Sequence, residues 1–206
     1  RQKRQRILAL GEGLVELAVT GDTYDDAAEA ALREAGRTGA TVVPAFDDVR
    51  TIAGQGTVAL EIVEQFGSAP DVLVAPVGSG GMISGCLAYL GERHPGTTVV
   101  GAEPSGAASM ISAVAAGGPV ELTSLDTFVD GAAVRRAGDV TYRVVERWRP
   151  ALYPVPEGRI CSEMLALYQI EGIVTEPAGA LAAASLGLFQ PEPGQTVVVI
   201  VSGGNN

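Results

Sequence analysis

The chain has 206 residues, of which 47% are hydrophobic and 18% are charged, so it can bury one substantial core and form at most one full domain plus part of another. Its formal net charge of −10 argues against binding to nucleic acid or to an anionic membrane, because a protein surface that binds phosphates normally carries an excess of Lys and Arg. Since the sequence shows neither a signal-peptide pattern nor an apolar run long enough to span a bilayer, we expect a cytoplasmic protein.

The first six residues form the most basic segment of the chain. Residues 1–6 (RQKRQR) hold four of the 14 basic residues and no acid. We interpret this segment as the solvated face of a helix rather than as an arm that binds nucleic acid, because an isolated run of charge usually faces solvent. Within it, Lys3 is the only lysine of the sequence.

The first half of the chain alternates short apolar runs with helical periodicity, which is typical of an α/β fold with a mostly parallel sheet. Apolar residues on one face from Ile52 to Phe66 indicate a helix that stops at Gly67. The elements predicted in this half are, in order, a strand at 14–19, a helix from capping residues at 22–25 to about 35, a strand at 40–44, the helix over 52–66, a strand at 71–75 and a helix over 82–92.

The second half continues the alternation, and two of its features bear on function. Its predicted elements are a strand at 97–103, a helix over 107–115, turns between 117 and 142, helices over 158–171 and 177–188, and a strand at 196–201. Glycine-rich turns at 78–81 and 202–204 each follow a buried strand. Because open α/β sheets bind ligands at the carboxyl ends of their strands, we expect both turns to lie at a ligand site.

Cysteine and histidine usage indicates neither a metal site nor a disulfide. Cys86 and Cys161 are far apart and lie among apolar neighbours, which predicts two buried thiols. His94 is the only histidine and precedes Pro95, where we expect a helix to end with a cationic cap. The sequence shows no zinc-ligand spacing and no Ser/His/Asp set.

The glycine loop at 78–81 is suited to an anion, because its backbone N–H groups and the following helix dipole can converge on a phosphate. A dinucleotide fingerprint would need a third glycine where Ile83 stands, and a P-loop would need Lys and Ser/Thr where Met82 and Ile83 follow the last glycine. The loop therefore favours a cofactor whose phosphate is a handle for binding. A tight strand-to-helix turn without a ligand is the structural alternative.

Several longer stretches resemble one known family. The chain is similar to the pyridoxal-phosphate enzymes of the tryptophan-synthase β-like fold (fold type II), and among them to the threonine dehydratases, also called threonine ammonia-lyases. The stretches that carry this resemblance are GDTYDDA at 21–27, PAFDDVRTIAGQGTVALEI at 44–62, PVGSGGMISG at 76–85, GAEPSGA at 101–107, FVDGAAVRRAGDVTY at 128–142, EGIVTEPAGALAAA at 171–184 and VSGGNN at 201–206.

The resemblance implies an open, twisted, mostly parallel sheet flanked by helices, and it implies pyridoxal 5'-phosphate as the cofactor. Serine replaces the family's glycine at the second loop position, and methionine replaces its leucine at the fifth. Ser202 matches the residue whose hydroxyl meets the pyridine nitrogen. The phosphate loop implied by the resemblance consists of Gly78, Ser79, Gly80, Gly81 and Met82.

Further positions match the family with less specific motifs. Gly131 and Glu176 resemble residues that line the cofactor ring. Glu103 falls where related serine racemases place a divalent-metal ligand, but Ser109 stands where those enzymes have an aspartate. A polar core role or a salt bridge for Glu103 is the alternative to a metal site.

The family's Schiff-base lysine motif, SFKxRGA, and the asparagine loop that follows it do not occur in these residues. Lys3 does not replace that lysine, because its segment matches a later part of the family. The resemblance therefore implies that residues 1–45 are the remainder of the small domain and residues 46–206 form the large cofactor-binding domain, without the lysine-bearing segment or a C-terminal regulatory domain. We expect this chain alone to be inactive.

The resemblance implies deamination of L-threonine to 2-oxobutanoate and ammonia, as the first step of isoleucine biosynthesis, with serine as a further substrate. It also implies a homo-oligomer, either a dimer or a tetramer, and the lysine-bearing portion could accompany this chain as a separate fragment. Three alternatives stay open: a serine racemase or serine dehydratase of the same fold, a non-enzymatic α/β module that binds a phosphate ligand, and a nucleotide-dependent enzyme.

Overall fold

A computed structural model describes residues 2–21 and 24–204. Eight α-helices lie in these ranges: α1 (Gln2–Leu10), α2 (Tyr24–Thr38), α3 (Val49–Phe66), α4 (Gly81–Arg93), α5 (Ser109–Ala116), α6 (Asp139–Trp148), α7 (Glu157–Glu171) and α8 (Pro177–Ala184). The four strands in the same ranges are β1 (Val72–Pro76), β2 (Thr98–Pro104), β3 (Ala151–Val155) and β4 (Val197–Val199). The predicted caps Asp22 and Thr23 lie outside the described residues.

The chain divides into two compact units, residues 1–43 with 204–206, and residues 44–203. The first unit contains α2 and α1, and α1 is the helix predicted for the basic segment. The strands predicted at 14–19 and 40–44 are wrong, since both stretches are irregular. Leu14 is 94% exposed and Val43 is 85% exposed. Apolar composition alone does not form a strand when no packed sheet face receives its side chains.

A parallel four-stranded sheet with the order β3-β2-β1-β4 forms the centre of the second unit. In β1, Val74 lies opposite Val100 of β2 on one side and opposite Val199 of β4 on the other. The side chains of residues 72–75 are buried, as expected for a central strand covered by helices on both faces. The predicted α/β fold with a parallel sheet is confirmed.

Two elements of this unit were missed by the sequence patterns. The edge strand β3 is largely accessible to solvent, and Pro154 interrupts its otherwise apolar sequence, which argues against a strand. Helix α6 begins inside the stretch predicted to be turns. It buries Tyr142 and Val145 but carries charged residues on its other side. The predicted C-terminal helix also ends four residues early, at Ala184, with Ser185 as its C-cap.

Helices α3 and α4 cross at unusually short range on one face of the sheet. Asp48 caps α3 by accepting a hydrogen bond from the N–H of Arg50, and Gly67 ends it in a left-handed conformation, as predicted. At the crossing, a Cβ added to Gly85 would lie 2.4 Å from the backbone nitrogen of Gly56. The two glycines therefore allow direct backbone contact between α3 and α4.

The cysteines differ in their environments. Cys86 on α4 is buried, as predicted, and burial raises the pKa of its thiol to about 12. Cys161 is exposed on the outer side of α7, so the prediction of a second buried thiol is wrong. His94 ends α4, where its backbone N–H donates to the carbonyl of Leu90.

Within residues 2–21 and 24–204, no helix is both long enough and apolar enough to cross a membrane.

Candidate functional site

A pocket opens at the carboxyl edge of the sheet, where the loop after β1 and the turn after β4 meet. The two segments are neighbours because β1 and β4 are adjacent and parallel. The pocket brings together the six residues that the sequence predicted as cofactor-binding: Gly78, Ser79, Gly80, Gly81, Met82 and Ser202. Their contacts with a cofactor stay a prediction.

The loop presents the N-terminus of α4 to this pocket. Gly80 is the N-cap with a φ of 93° and a ψ of 5°, and no side chain caps the helix. The first intrahelical bond of α4 joins the N–H of Ser84 to the carbonyl of Gly80 at 3.0 Å. The N–H groups of Gly81, Met82 and Ile83 therefore have no acceptor within the helix, and the positive end of the helix dipole adds to their attraction for an anion.

Close approach explains the glycines of the loop. A Cβ on Gly78 would lie 2.8 Å from Cα of Ala132, and a Cβ on Gly81 would lie 3.2 Å from Cβ of Phe46. At Gly80 the left-handed φ disfavours any other residue. The φ of Ser79 is not positive, so this position of the loop accepts a residue with a Cβ.

Ser202 lies opposite the loop with an exposed side chain. Its hydroxyl donates to the carbonyl of Ala178 at 3.4 Å, which is a long hydrogen bond. A ligand acceptor in the pocket would compete well with so weak a partner.

Gly131 lines the pocket, whereas Glu176 lies behind its wall. The carboxylate oxygen Oε1 of Glu176 is 3.2 Å from the position of a Cβ on Gly131 and 2.6 Å from that of a Cβ on Gly203. The N–H of Glu176 donates to the carbonyl of Gly203 at 3.0 Å. Glu176 thus joins the start of α8 to the turn after β4.

The remaining pocket walls were not singled out by the sequence analysis. They come from segments far apart in the chain: Ala45, Phe46, Gln55, Pro76, Ala132 and Ala178. Gln55 is the one polar side chain in this set, and it lies on α3, which was predicted from its apolar residues alone. A polar residue within that helix is the sequence signal that could have indicated a role for Gln55 in the site.

Glu103 at the end of β2 is fully buried and caps another helix. Its carboxylate accepts hydrogen bonds from the N–H groups of Met110 and Ile111 at 2.7 and 2.9 Å, in the first turn of α5. Burial raises the pKa of Glu103 to about 8, although the hydrogen bonds from the N–H groups of Met110 and Ile111 act in the opposite direction. Among the residues that the structure describes, no group of three or more His, Cys, Asp or Glu side chains is arranged to hold a metal ion.

The raised pKa of Glu103 predicts that stability falls with increasing pH. Since the pKa is about 8 in the folded chain and near 4.5 in the unfolded chain, the contribution is fully present below pH 4.5 and is lost as the pH rises through 8. Between pH 5 and pH 8.5 we expect the free energy of unfolding, measured by urea titration, to fall by about a few kcal/mol, as a pKa shift of this size implies. Glu103→Gln should largely remove this decrease.

The matched control is Glu192→Gln, which changes an exposed glutamate and should keep the wild-type pH dependence. A wild-type decrease no larger than that of Glu103→Gln would show that Glu103 does not take up a proton on folding.

Comparisons with known proteins match nearly the whole chain. A sequence profile described as "Pyridoxal-phosphate dependent enzyme" matches residues 1–203. The biosynthetic L-threonine dehydratase IlvA of Mycobacterium tuberculosis is 54% identical over 208 residues, which cover 100% of this chain and 48% of that protein. The chain thus spans about half the length of the curated relatives that it matches.

Two solved structures have similar folds. Threonine deaminase isoform 2 of Solanum lycopersicum, in its processed form, has a TM-score of 0.88 and 31% identity, over 99% of this chain and 59% of that one. Maize serine racemase has a TM-score of 0.88 and 30% identity, over 100% of this chain and 64% of the other.

Proposed function

Because the chain belongs to the family of pyridoxal-phosphate dependent enzymes, we propose that the protein containing it deaminates L-threonine with pyridoxal 5'-phosphate bound in the pocket described above. The reaction would release 2-oxobutanoate and ammonia, as the first step of isoleucine biosynthesis. The observation that carries the proposal is the pocket itself, which is lined both by the uncapped N-terminus of α4 and by Ser202, at adjacent strand ends. The identity of 54% to a threonine dehydratase supports the choice of substrate.

The residues present fit this cofactor. The helix N-terminus supplies N–H donors for a phosphate without a competing side-chain cap. At Gly81, a side chain would meet Phe46 and fill the approach to these donors.

In this proposal the loop and Ser202 hold the two ends of the cofactor. The N–H groups of Gly80, Gly81 and Met82 would bind the phosphate, and the hydroxyl of Ser202 would hydrogen-bond the ring nitrogen. When bound, the cofactor supplies the electron sink that makes the α-proton of an amino acid acidic. A neutral hydroxyl at Ser202, unlike a carboxylate, does not raise the pKa of that nitrogen, and this favours elimination over reactions that need a long-lived carbanion.

We assign no catalytic base within these 206 residues. The family's Schiff-base lysine motif does not occur in them, and the only lysine, Lys3, lies in a segment that does not match it. The residues described here would therefore bind and orient the cofactor, while a lysine outside this chain would transfer the proton.

The test compares the full-length protein with the 206-residue chain. With pyridoxal phosphate and L-threonine, the full-length protein should release 2-oxobutanoate and ammonia in equal amounts, and borohydride should abolish the visible absorbance of the bound cofactor. The 206-residue chain alone should release neither product. Turnover by a preparation whose mass spectrum shows only this chain would contradict the assignment of the lysine.

A serine racemase is the second candidate, because the maize enzyme matches the whole chain with the same TM-score as the tomato threonine deaminase. The higher identity to the mycobacterial dehydratase favours deamination. Accumulation of D-serine from L-serine, with L-threonine left unchanged, would select the racemase. Family membership argues against the nucleotide-dependent enzyme and the non-enzymatic module.

The proposal includes a cytoplasmic location and assembly into a homo-oligomer. The exposed free thiol of Cys161 is compatible with a reducing compartment. Exposed apolar side chains on α7 and just after it support an assembly surface, since large apolar groups in one region mark protein contacts: Leu165, Tyr168, Ile170 and Val174.

A further inference from the structure

Asp47 caps helix α6 from a distant part of the chain. Its carboxylate accepts hydrogen bonds from the N–H groups of Asp139 at 3.0 Å, Val140 at 2.7 Å and Thr141 at 3.3 Å. These are the first three residues of α6, whose N-cap residue, Gly138, provides no side-chain cap. A carboxylate at this position also interacts favourably with the helix dipole. Asp47 therefore determines where α6 begins.

Gly138 makes room for that carboxylate. A Cβ at Gly138 would lie 2.4 Å from Oδ1 of Asp47 and 2.8 Å from Oγ1 of Thr141. Asp47 also directly follows Phe46, which lines the pocket beside Gly81. One short segment thus contributes a wall residue to the pocket and an anchor for α6.

Thr141 connects α6 to the glycine loop. Its side chain is fully buried, and its hydroxyl lies 2.7 Å from the carbonyl oxygen of Ser79 and 3.2 Å from that of Gly138. A hydroxyl has one proton to donate, and the shorter distance favours Ser79. The hydroxyl of Ser84, on α4, donates in turn to the carbonyl of Thr141 at 3.3 Å. Helix α6 is therefore bonded to the loop and to the helix that follows it.

The bond from Thr141 fixes the peptide between Ser79 and Gly80. In a planar trans peptide the C=O and the next N–H point in opposite directions. A Ser79 carbonyl held towards Thr141 consequently turns the N–H of Gly80 away from α6. Thr141 is not among the residues that line the pocket, whereas Ser79 and Gly80 are.

We propose that Asp47 and Thr141 are positioning residues, which hold the Ser79–Gly80 peptide so that the N–H of Gly80 points into the pocket as an anion donor. The inference rests on the proposed function, because it states how the same cofactor site is organised. Asp47 sets the position of α6, Thr141 transmits that position to the loop, and neither residue touches the bound group. Without the Thr141 hydroxyl the peptide is free to rotate, and the pocket loses one aligned donor.

The test measures cofactor affinity by titrating the cofactor-free full-length protein with pyridoxal phosphate and following its absorbance. Thr141→Val keeps the shape of the side chain but removes the hydroxyl, and it should weaken binding about tenfold, the upper range for one hydrogen bond. Thr141→Ser retains the hydroxyl and should bind within about threefold of wild type. The ³¹P chemical shift of the bound phosphate should change in Thr141→Val and not in Thr141→Ser.

The control is Thr97→Val, which removes a comparable hydroxyl bonded to the carbonyl of Pro70 at 2.8 Å, at the amino end of the sheet. It should leave cofactor affinity unchanged, and the melting temperatures of both variants without cofactor are measured alongside, because Thr97 is only partly buried and Thr141 is fully buried. If Thr141→Val does not fold, Asp47→Asn replaces it as the test variant, because the asparagine amide retains one acceptor oxygen for the N–H groups of α6. Asp47→Asn should weaken cofactor binding about threefold, a loss within the range for one hydrogen bond.

Wild-type affinity and ³¹P shift in Thr141→Val, or in Asp47→Asn where that variant is used, would overturn the inference. This result is independent of threonine turnover. If wild type binds the cofactor but does not deaminate threonine, the proposed function fails, while the affinity series still decides the roles of Asp47 and Thr141.

Discussion

Gly85→Ala is expected to destabilise the second unit by about 3 kcal/mol, at the upper end of the range for overpacking. The added Cβ would lie 2.4 Å from the nitrogen of Gly56, 2.5 Å from the carbonyl oxygen of Ile52 and 2.7 Å from the carbonyl carbon of Gln55. All three are backbone atoms, so no side-chain rotation relieves the contact. Helices α3 and α4 must separate, and the apolar contacts around the crossing are lost with them.

The measurement is the free energy of unfolding in urea, and Gly54→Ala is the matched control. Gly54 lies on the exposed side of α3, where an added Cβ would meet nothing within 4 Å. Alanine there should increase stability by up to about 1 kcal/mol, because alanine has the higher helix propensity. Opposite signs for the two variants are the expected outcome. Wild-type stability in Gly85→Ala would show that the helices do not cross at these glycines.

Gly81→Val is expected to weaken binding of pyridoxal phosphate by about a hundredfold or more. Each hydrogen bond to a charged group contributes about 1.5–3 kcal/mol, and the branched side chain would displace the phosphate from more than one N–H donor. The fold should tolerate the change better than the site does. Gly81 is the first residue of α4, and its Cβ would meet the Cβ of Phe46 at 3.2 Å, which a small shift of Phe46 relieves.

Affinity from cofactor titration and melting temperature without cofactor separate these two effects. Gly158→Val is the control, since Gly158 lies in the first turn of α7 with nothing within 4 Å of an added Cβ. It should leave the affinity unchanged. Equal affinity in Gly81→Val and wild type would remove the glycine loop from the cofactor site.

The errors of the sequence analysis have one physical origin. Two wrong predictions, a strand at 14–19 and a buried thiol at Cys161, relied on apolar neighbours as evidence of burial. Leu14 and Cys161 are in fact exposed. Conversely, β3 and α6 contain apolar residues but were missed, because Pro154 interrupts the first and charged residues separate the apolar positions of the second. Burial depends on which element lies opposite a residue, and local composition does not contain that information.

The sequence by itself determined the parallel α/β fold and the position of the ligand loop, because both depend on local patterns. An apolar run followed by Gly78-Ser79-Gly80-Gly81 predicts a strand, a turn and the start of a helix, while the run before Ser202 predicts a strand end of the same kind. Parallel strands place their carboxyl ends at one edge, so it also followed that the two turns lie close together.

Only the tertiary structure decided how that edge becomes a pocket. Phe46, Gln55 and Ala178 reach it from three separate elements. The bond between Asp47 and Val140 joins residues 93 positions apart, and no local pattern specifies such a pair. A glycine-rich loop can adopt many conformations, because glycine imposes few steric limits on its backbone. Its orientation is therefore determined by the distant groups that pack and hydrogen-bond against it.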